Sequence, residues 1–224
     1  MCILCLFQLN AQTTQIGTGG GTSTVLPMTT NQANSHSQQI YTDTELGIPA
    51  GSTITSLSFN VSSVPNNNKN ATCVITVRLK NTASTSFQGN AFEDVDGSSS
   101  ATMEGKFSAG WVTFNTAFTY EGQSLLVDFQ GTVANTKNVT AVKFVTNTSG
   151  VAIYSNTANA TTGTRVTGNN QIQLTYTAPV VPLPATPTGL TATATGTSSI
   201  ALSWNSAENA TSYKVYQMVM QLLQ

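Results

Sequence analysis

Apolar and polar residues alternate along most of this chain with the two-residue period of strands, and few stretches carry a helical period. The clearest run is Thr72–Lys80. Cys73, Ile75, Val77 and Leu79 share one face, and Thr72, Thr76, Arg78 and Lys80 share the other. Ser56–Val61 repeats the pattern, with Leu57, Phe59 and Val61 opposite Ser58 and Asn60. These two runs flank Pro65–Asn70, a turn-forming PNNNKN segment, and are predicted to form a hairpin. Further predicted strands are Gln39–Thr42, Thr102–Phe107, Trp111–Asn115, Ser124–Gln130, Val139–Thr146, Val151–Tyr154 and Gln171–Thr177. In Trp111–Asn115, Trp111 and Thr113 share one face and Val112 and Phe114 the other, and the pattern leaves open which is buried. Many short strands with one apolar face each predict an all-β fold. The expected architecture is an antiparallel β-sandwich, jelly-roll-like, over residues 13–178.

Punctuation divides the rest. Residues 179–187, PVVPLPATP, form a Pro-rich segment that lacks ladder donors and favours extended geometry, so it is expected to be a semi-rigid linker. Residues 1–12, MCILCLFQLNAQ, carry an apolar run too short to span a membrane. They resemble the end of a secretory signal peptide, with cleavage expected near Ala11 or Gln12; a buried N-terminal strand is the alternative.

Composition narrows the classes of partner. Charged residues make up 8% of the chain, against roughly 25% in an average soluble domain. Its polarity comes from Thr, Ser and Asn instead. With a net charge of −1 and eight scattered Lys and Arg, the chain has no basic field for nucleic acid or anionic lipid. Disorder would also account for a polar composition, but 39% hydrophobic residues in regular alternation argue for a packed core. Cys2 and Cys5 fall within the signal-like segment. That leaves Cys73, on an apolar strand face, as the single cysteine of the expected mature chain, with no intrachain disulfide or thiolate zinc cluster.

Two stretches resemble known families. Residues 184–217, PATPTGLTATATGTSSIALSWNSAENATSYKVYQ, resemble the first half of a fibronectin type III module. Leu190 fits its first strand, Ile200, Leu202 and Trp204 its second, and Tyr213 and Val215 its third. The later strands have no counterpart, so residues 188–224 are expected to be a truncated fibronectin type III (Ig-like) sandwich of a longer protein. The segments QQIYTDTELG, IPAGSTITSLSFNV, VRLKNTASTSF, GWVTFNTAFTYEGQSLLVDF and QIQLTYTAP, in that order, resemble a β-sandwich surface module of secreted proteins from Bacteroidetes-type bacteria. That resemblance spans residues 24–178 and implies a non-catalytic, adhesion-like or accessory unit. The chain departs from it at Thr30–His36, which is less aromatic, and at Phe92, where Trp is common.

Candidate chemistry is sparse. His36 is the single histidine and sits in a polar, loop-like stretch, without a G-x-S-x-G elbow or a second imidazole to share a metal. No catalytic residue and no cofactor are therefore assigned. The FEDVDG cluster offers Asp94 and Asp96 as weak calcium candidates, with a charged turn as the plainer reading. Trp111, Phe114, Phe118, Tyr120, Tyr41 and Tyr154 are either core or a sugar-stacking surface, with Trp111 and Tyr120 the weak ligand-binding candidates. Gly89–Ser100 and Pro65–Asn70 are the expected recognition tips.

The expected function is a non-catalytic secreted or cell-surface module for adhesion, spacing, or carbohydrate or protein recognition. Its partner would be an extracellular glycan or protein, with no nucleic acid and no membrane span. An accessory domain of a larger secreted hydrolase, such as a peptidase or glycosidase, is the alternative.

Overall fold

The computed structural model describes residues 10–66, 72–96, 99–134, 143–147, 151–180 and 182–216. The chain divides into two units, Met1–Pro179 and Val180–Gln224.

The first unit is two stacked antiparallel sheets. Its strands are β1 (Ala11–Ile16), β2 (Gly21–Ser23), β3 (Asn34–Tyr41), β4 (Thr53–Ser63), β5 (Thr72–Thr82), β6 (Ser99–Gly105), β7 (Gly110–Thr119), β8 (Ser124–Ala134), β9 (Lys143–Thr146), β10 (Val151–Ser155), β11 (Thr164–Thr167) and β12 (Ile172–Thr177). One sheet runs β7-β4-β12-β1, with β9 and β2 continuing beside β4. The other runs β11-β10-β3-β8-β5-β6. Eight of these strands pair as nested partners: β5 with β6, β4 with β7, β3 with β8 and β1 with β12. This nesting is one long antiparallel ribbon rolled into two sheets, which is the jelly roll.

Inward side chains of both sheets meet in one core. Leu57 and Phe59 of β4, Phe114 of β7, and Ile172 and Leu174 of β12 face Ile75, Val77 and Leu79 of β5 and Leu125, Val127 and Phe129 of β8. Phe59 meets Phe129 edge to face with ring centroids 5.4 Å apart, and Phe114 meets Phe129 at 5.9 Å. Such pairs add about 0.5–1.5 kcal/mol beyond their burial. Burial of Phe114 decides the face of β7: Val112 and Phe114 turn inward, and Trp111 stands on the outer side.

Four sequence expectations change. β4 and β5 do not form a hairpin. They lie in different sheets and face each other across the core, because a one-sided apolar pattern is the same for edge-to-edge and face-to-face partners. Residues 67–71 of the connecting turn lie outside the described residues. β4 also begins earlier than the alternation indicates. A bulge between Ile54 and Ser56 shifts the parity, so Ile54 and Leu57 both point inward. β3 begins at Asn34, which places His36 in a strand rather than a loop. Finally, Ala11 and Gln12 belong to β1, paired with Thr177 and Tyr176, and residues 1–9 of the signal-like segment lie outside the described residues.

At the end of β3, Thr42 and Glu45 form a reciprocal capping box around the single-turn helix α1 (Asp43–Leu46). Gly47 closes it at φ 59°, a left-handed conformation that a β-carbon would strain. The T-x-x-E spacing inside QQIYTDTELG is thus a chain-reversal signal that also buries Leu46.

The second unit contains the hairpin β13 (Thr191–Ala194) and β14 (Ile200–Ser203). Trp204 and Tyr213 pack their rings 5.4 Å apart. Leu190, Ile200, Leu202, Val215 and Tyr216 are exposed, and Tyr213–Tyr216 is not in a strand.

Two predictions follow from this packing. A two-stranded hairpin is marginal in water, so residues 180–224 alone should give no cooperative thermal transition by circular dichroism, whereas residues 10–179 should give one. Burial pushes the Cys73 thiol up to about 11. The folded state therefore favours the protonated thiol, a contribution present in full below the unfolded thiol's value and lost as pH rises through about 11. With Cys2 and Cys5 replaced by Ser, Cys73 should react with a thiol reagent at pH 8 only after denaturant is added. Denaturation midpoints should fall between pH 9 and pH 11 by more than they do for Cys73→Ala.

Candidate functional site

The outer face of the β10-β3-β8-β5 sheet is organised in cross-strand rows, because register sets which side chains stand beside one another. The first row is Val151, Ile40, Leu126 and Lys80. The second is Ile153, Gln38, Asp128 and Arg78. The third is Ser155, His36, Gln130 and Thr76, and the fourth is Asn34, Thr132 and Val74. Along the sheet the surface therefore passes from mostly apolar, through ionic, to polar.

The segment 83–96, between β5 and β6, covers the first two rows. Phe87 joins Ile40, Leu126 and Ile153 in a second apolar cluster, with Phe92 and Val95 packed against it. β8 is consequently buried on both faces from Ser124 to Phe129. Polar contacts fix the segment in place. The Gln38 amide donates to the Glu93 carbonyl at 2.7 Å and accepts the Glu93 N–H at 2.7 Å, as a strand backbone would. Thr82 Oγ1 bonds Glu93 Oε2 at 3.3 Å, and the Lys80 ammonium donates to the Asp94 carbonyl.

Beneath this segment lies Asp128, 0% exposed. An unpaired carboxylate there would cost several kcal/mol. Three donors converge on it: His36 Nε2 at 2.7 Å and Gln38 Nε2 at 3.0 Å on Oδ1, and Arg78 Nη1 at 3.0 Å on Oδ2. The Arg78 side chain is 30% exposed and His36 13%, so the cluster reaches from the interior to the edge of the covered zone. There the imidazole stacks on Phe92, centroids 3.8 Å apart and 18° from parallel.

The third and fourth rows are left open. The turn 157–160, which follows β10, rises beside them, and together they enclose a groove of about 340 Å³. Its polar lining is Asn34, His36, Thr76, Gln130, Thr132 and Asn159, with Val74 as an apolar contact. Ser155 Oγ accepts the Thr157 N–H at 3.2 Å and starts the turn, and Asn159 completes it at φ 54°. The serine beside His36 thus has a structural partner, and the imidazole Nε2 is engaged by Asp128. The imidazole forms part of one wall of the groove. A second depression of about 470 Å³ runs along the edge strand β11 from Thr164 to Thr167.

The remaining candidates from the sequence fall elsewhere. Tyr120 is 1% exposed and its backbone clamps the turn at Gly51 and Ser52, so it offers no surface to a ligand. Tyr41, Phe114 and Phe118 are also core. Trp111, 37% exposed, stands on the outer side of the opposite sheet, beside Asn60. Asp94 Oδ1 accepts the Asp96 N–H at 2.9 Å, an ordinary Asx turn, and the Lys80 ammonium occupies the Asp94 carbonyl that a calcium ion would want. Among the described residues no group of three or more His, Cys, Asp and Glu could hold a metal, and no helix is long and apolar enough to cross a membrane. Sequence reasoning missed Asp128, Arg78, Gln38 and Gln130 as a group. The one available signal was an acid in the middle of the apolar run SLLVDF.

Comparison with protein-family models, curated proteins and solved structures finds no significant match to this chain.

The ionic cluster should dominate local stability. Asp128→Ala removes the acceptor for three donors and should lower the unfolding free energy by about 3–5 kcal/mol, read as a fall in the urea midpoint. Gln38→Ala removes both bonds to Glu93 and should cost about 1–3 kcal/mol. It should also expose segment 83–96 to limited proteolysis well before global unfolding.

Proposed function

We propose that this chain is a non-catalytic secreted or cell-surface recognition module whose first unit binds an extracellular glycan or protein on the outer face of the β10-β3-β8-β5 sheet. The observation that carries this reading is the groove over the third and fourth rows. It is a concavity of about 340 Å³, within the usual size of small-ligand sites, roughly 300–1,000 Å³. Side chains from three strands and a turn build it, and a buried ionic cluster holds one wall fixed. Strand-borne groups lose little freedom on binding, which favours affinity. The sandwich scaffold and the Pro-rich segment after β12 are in keeping with a module that presents this face outward from a longer assembly. A secreted setting is in keeping with the signal-like start and the low charge.

A binding screen of the full chain tests the reading. The immobilised protein, probed with a glycan array and with extracellular-matrix proteins, should retain at least one ligand. Substitution of Gln130 by a bulky Trp should abolish that retention without loss of the thermal transition. If every retained ligand is indifferent to this substitution, or none is retained, the reading fails.

A further inference from the structure

The chemistry of the groove identifies its ligand more closely, an inference that rests on the reading just given. We infer that the groove over His36, Thr76 and Gln130 is a binding site for a neutral saccharide of about one or two sugar rings.

Four observations converge on that class. No Lys, Arg, Asp or Glu lines the groove among the described residues; its one titratable lining group, His36, is committed to Asp128, and the exposed Glu104 of β6 stands one strand over, beside Val74. An anionic ligand would therefore find no fixed cation in the lining, and a cationic one only Glu104 beside it. The polar lining consists of two-way groups: the amides of Asn34, Gln130 and Asn159 and the hydroxyls of Thr76 and Thr132 each offer donors and acceptors. Vicinal sugar hydroxyls, which donate and accept at once, match that inventory better than a row of pure donors or pure acceptors would.

The third observation is apolar. Val74 turns away from the core and is 44% exposed within this polar setting. It supplies the apolar patch against which a ring's C–H face can rest, a contact favourable through burial alone. The fourth is position. The groove lies over the middle of a sheet, flanked by β5 with β6 on one side and β3 with β10 on the other. The strand β8 at its floor is paired on both sides, by β3 and by β5, so strand addition is unavailable there. Gly131 contributes only backbone to the groove, because a β-carbon there would point into the core toward Met28.

The test is a titration of the isotopically labelled full chain with two ligand sets, followed by amide shifts and calorimetry. One set holds neutral di- and trisaccharides of hexoses and N-acetylhexosamines. The other holds uronic-acid and sulfated fragments of equal length. The expected result is saturable binding of a neutral member, with the largest shifts at Thr76, Gln130, Thr132 and Asn159. Affinity should fall at least tenfold in Gln130→Ala and Thr76→Ala and should be unchanged in Gln173→Ala, whose backbone pairs with Ser58 in the other sheet. Thermal transitions of all three variants should match that of the parent.

Preference for the charged fragments overturns the ligand class. Loss of saccharide binding in Trp111→Ala with no effect of the groove variants overturns the location. If no saccharide binds but a protein ligand shifts the groove amides, this inference fails while the groove remains a recognition site. If neither saccharides nor proteins move those amides, both readings fail.

Discussion

Asp128 is the constraint around which one face of this protein is arranged. A carboxylate with no exposure to water needs donors fixed in place before it can be tolerated. It takes them from two flanking strands at once: Arg78 from β5, and His36 and Gln38 from β3. Those same side chains then reach outward. Gln38 grips the backbone of Glu93, and His36 carries Phe92 on its ring. A charge buried in the centre of the sheet is thereby converted into the seat of a 14-residue covering segment, 83–96. Where that cover stops, the sheet face lies open.

The jelly roll explains why the cover is there at all. Nested pairing places β8 between β3 and β5, so it is shielded at both edges. Its sequence, SLLVDFQGTVA, is buried on both faces over its first half. One face fills the core between the sheets, and the other requires a second layer. The connection between β5 and β6 is long enough to supply it, with Phe87, Phe92 and Val95 as the contacts. Residues 89–96, part of the Gly89–Ser100 stretch expected at a tip of the sandwich, lie against the face of the sheet instead. The difference follows from the apolar content of the segment, which a tip exposed to water would not keep.

Most of the sandwich was legible in the residues. The alternation in Thr72–Lys80, Trp111–Asn115 and Gln171–Thr177 marks real strands whose apolar faces meet. What periodicity could not supply was partnership. Leu57 and Ile75 look alike whether their strands pair by hydrogen bonds or face each other across a core. Polar strands were harder still. β3 turns Ser35, Ser37 and Gln39 inward, where Ser35 caps the Thr29 N–H and Gln39 accepts the Asn170 N–H at 2.7 Å. With polar residues on both faces, NSHSQQ has no hydrophobic signature, and His36 reads as a loop residue. The groove was illegible for the same reason. It is assembled from isolated amides and hydroxyls, on strands distant in sequence, that only register brings together.

The pairing of β1 with β12 has a mechanical consequence. Ala11 stands beside Thr177, and the ladder runs inward from there to Ile16 and Ile172. The chain enters and leaves the sandwich at neighbouring points of one end. Tension applied through the flanking segments would load the outermost rung first and open the ladder like a zipper, one pair at a time, rather than shear every rung together.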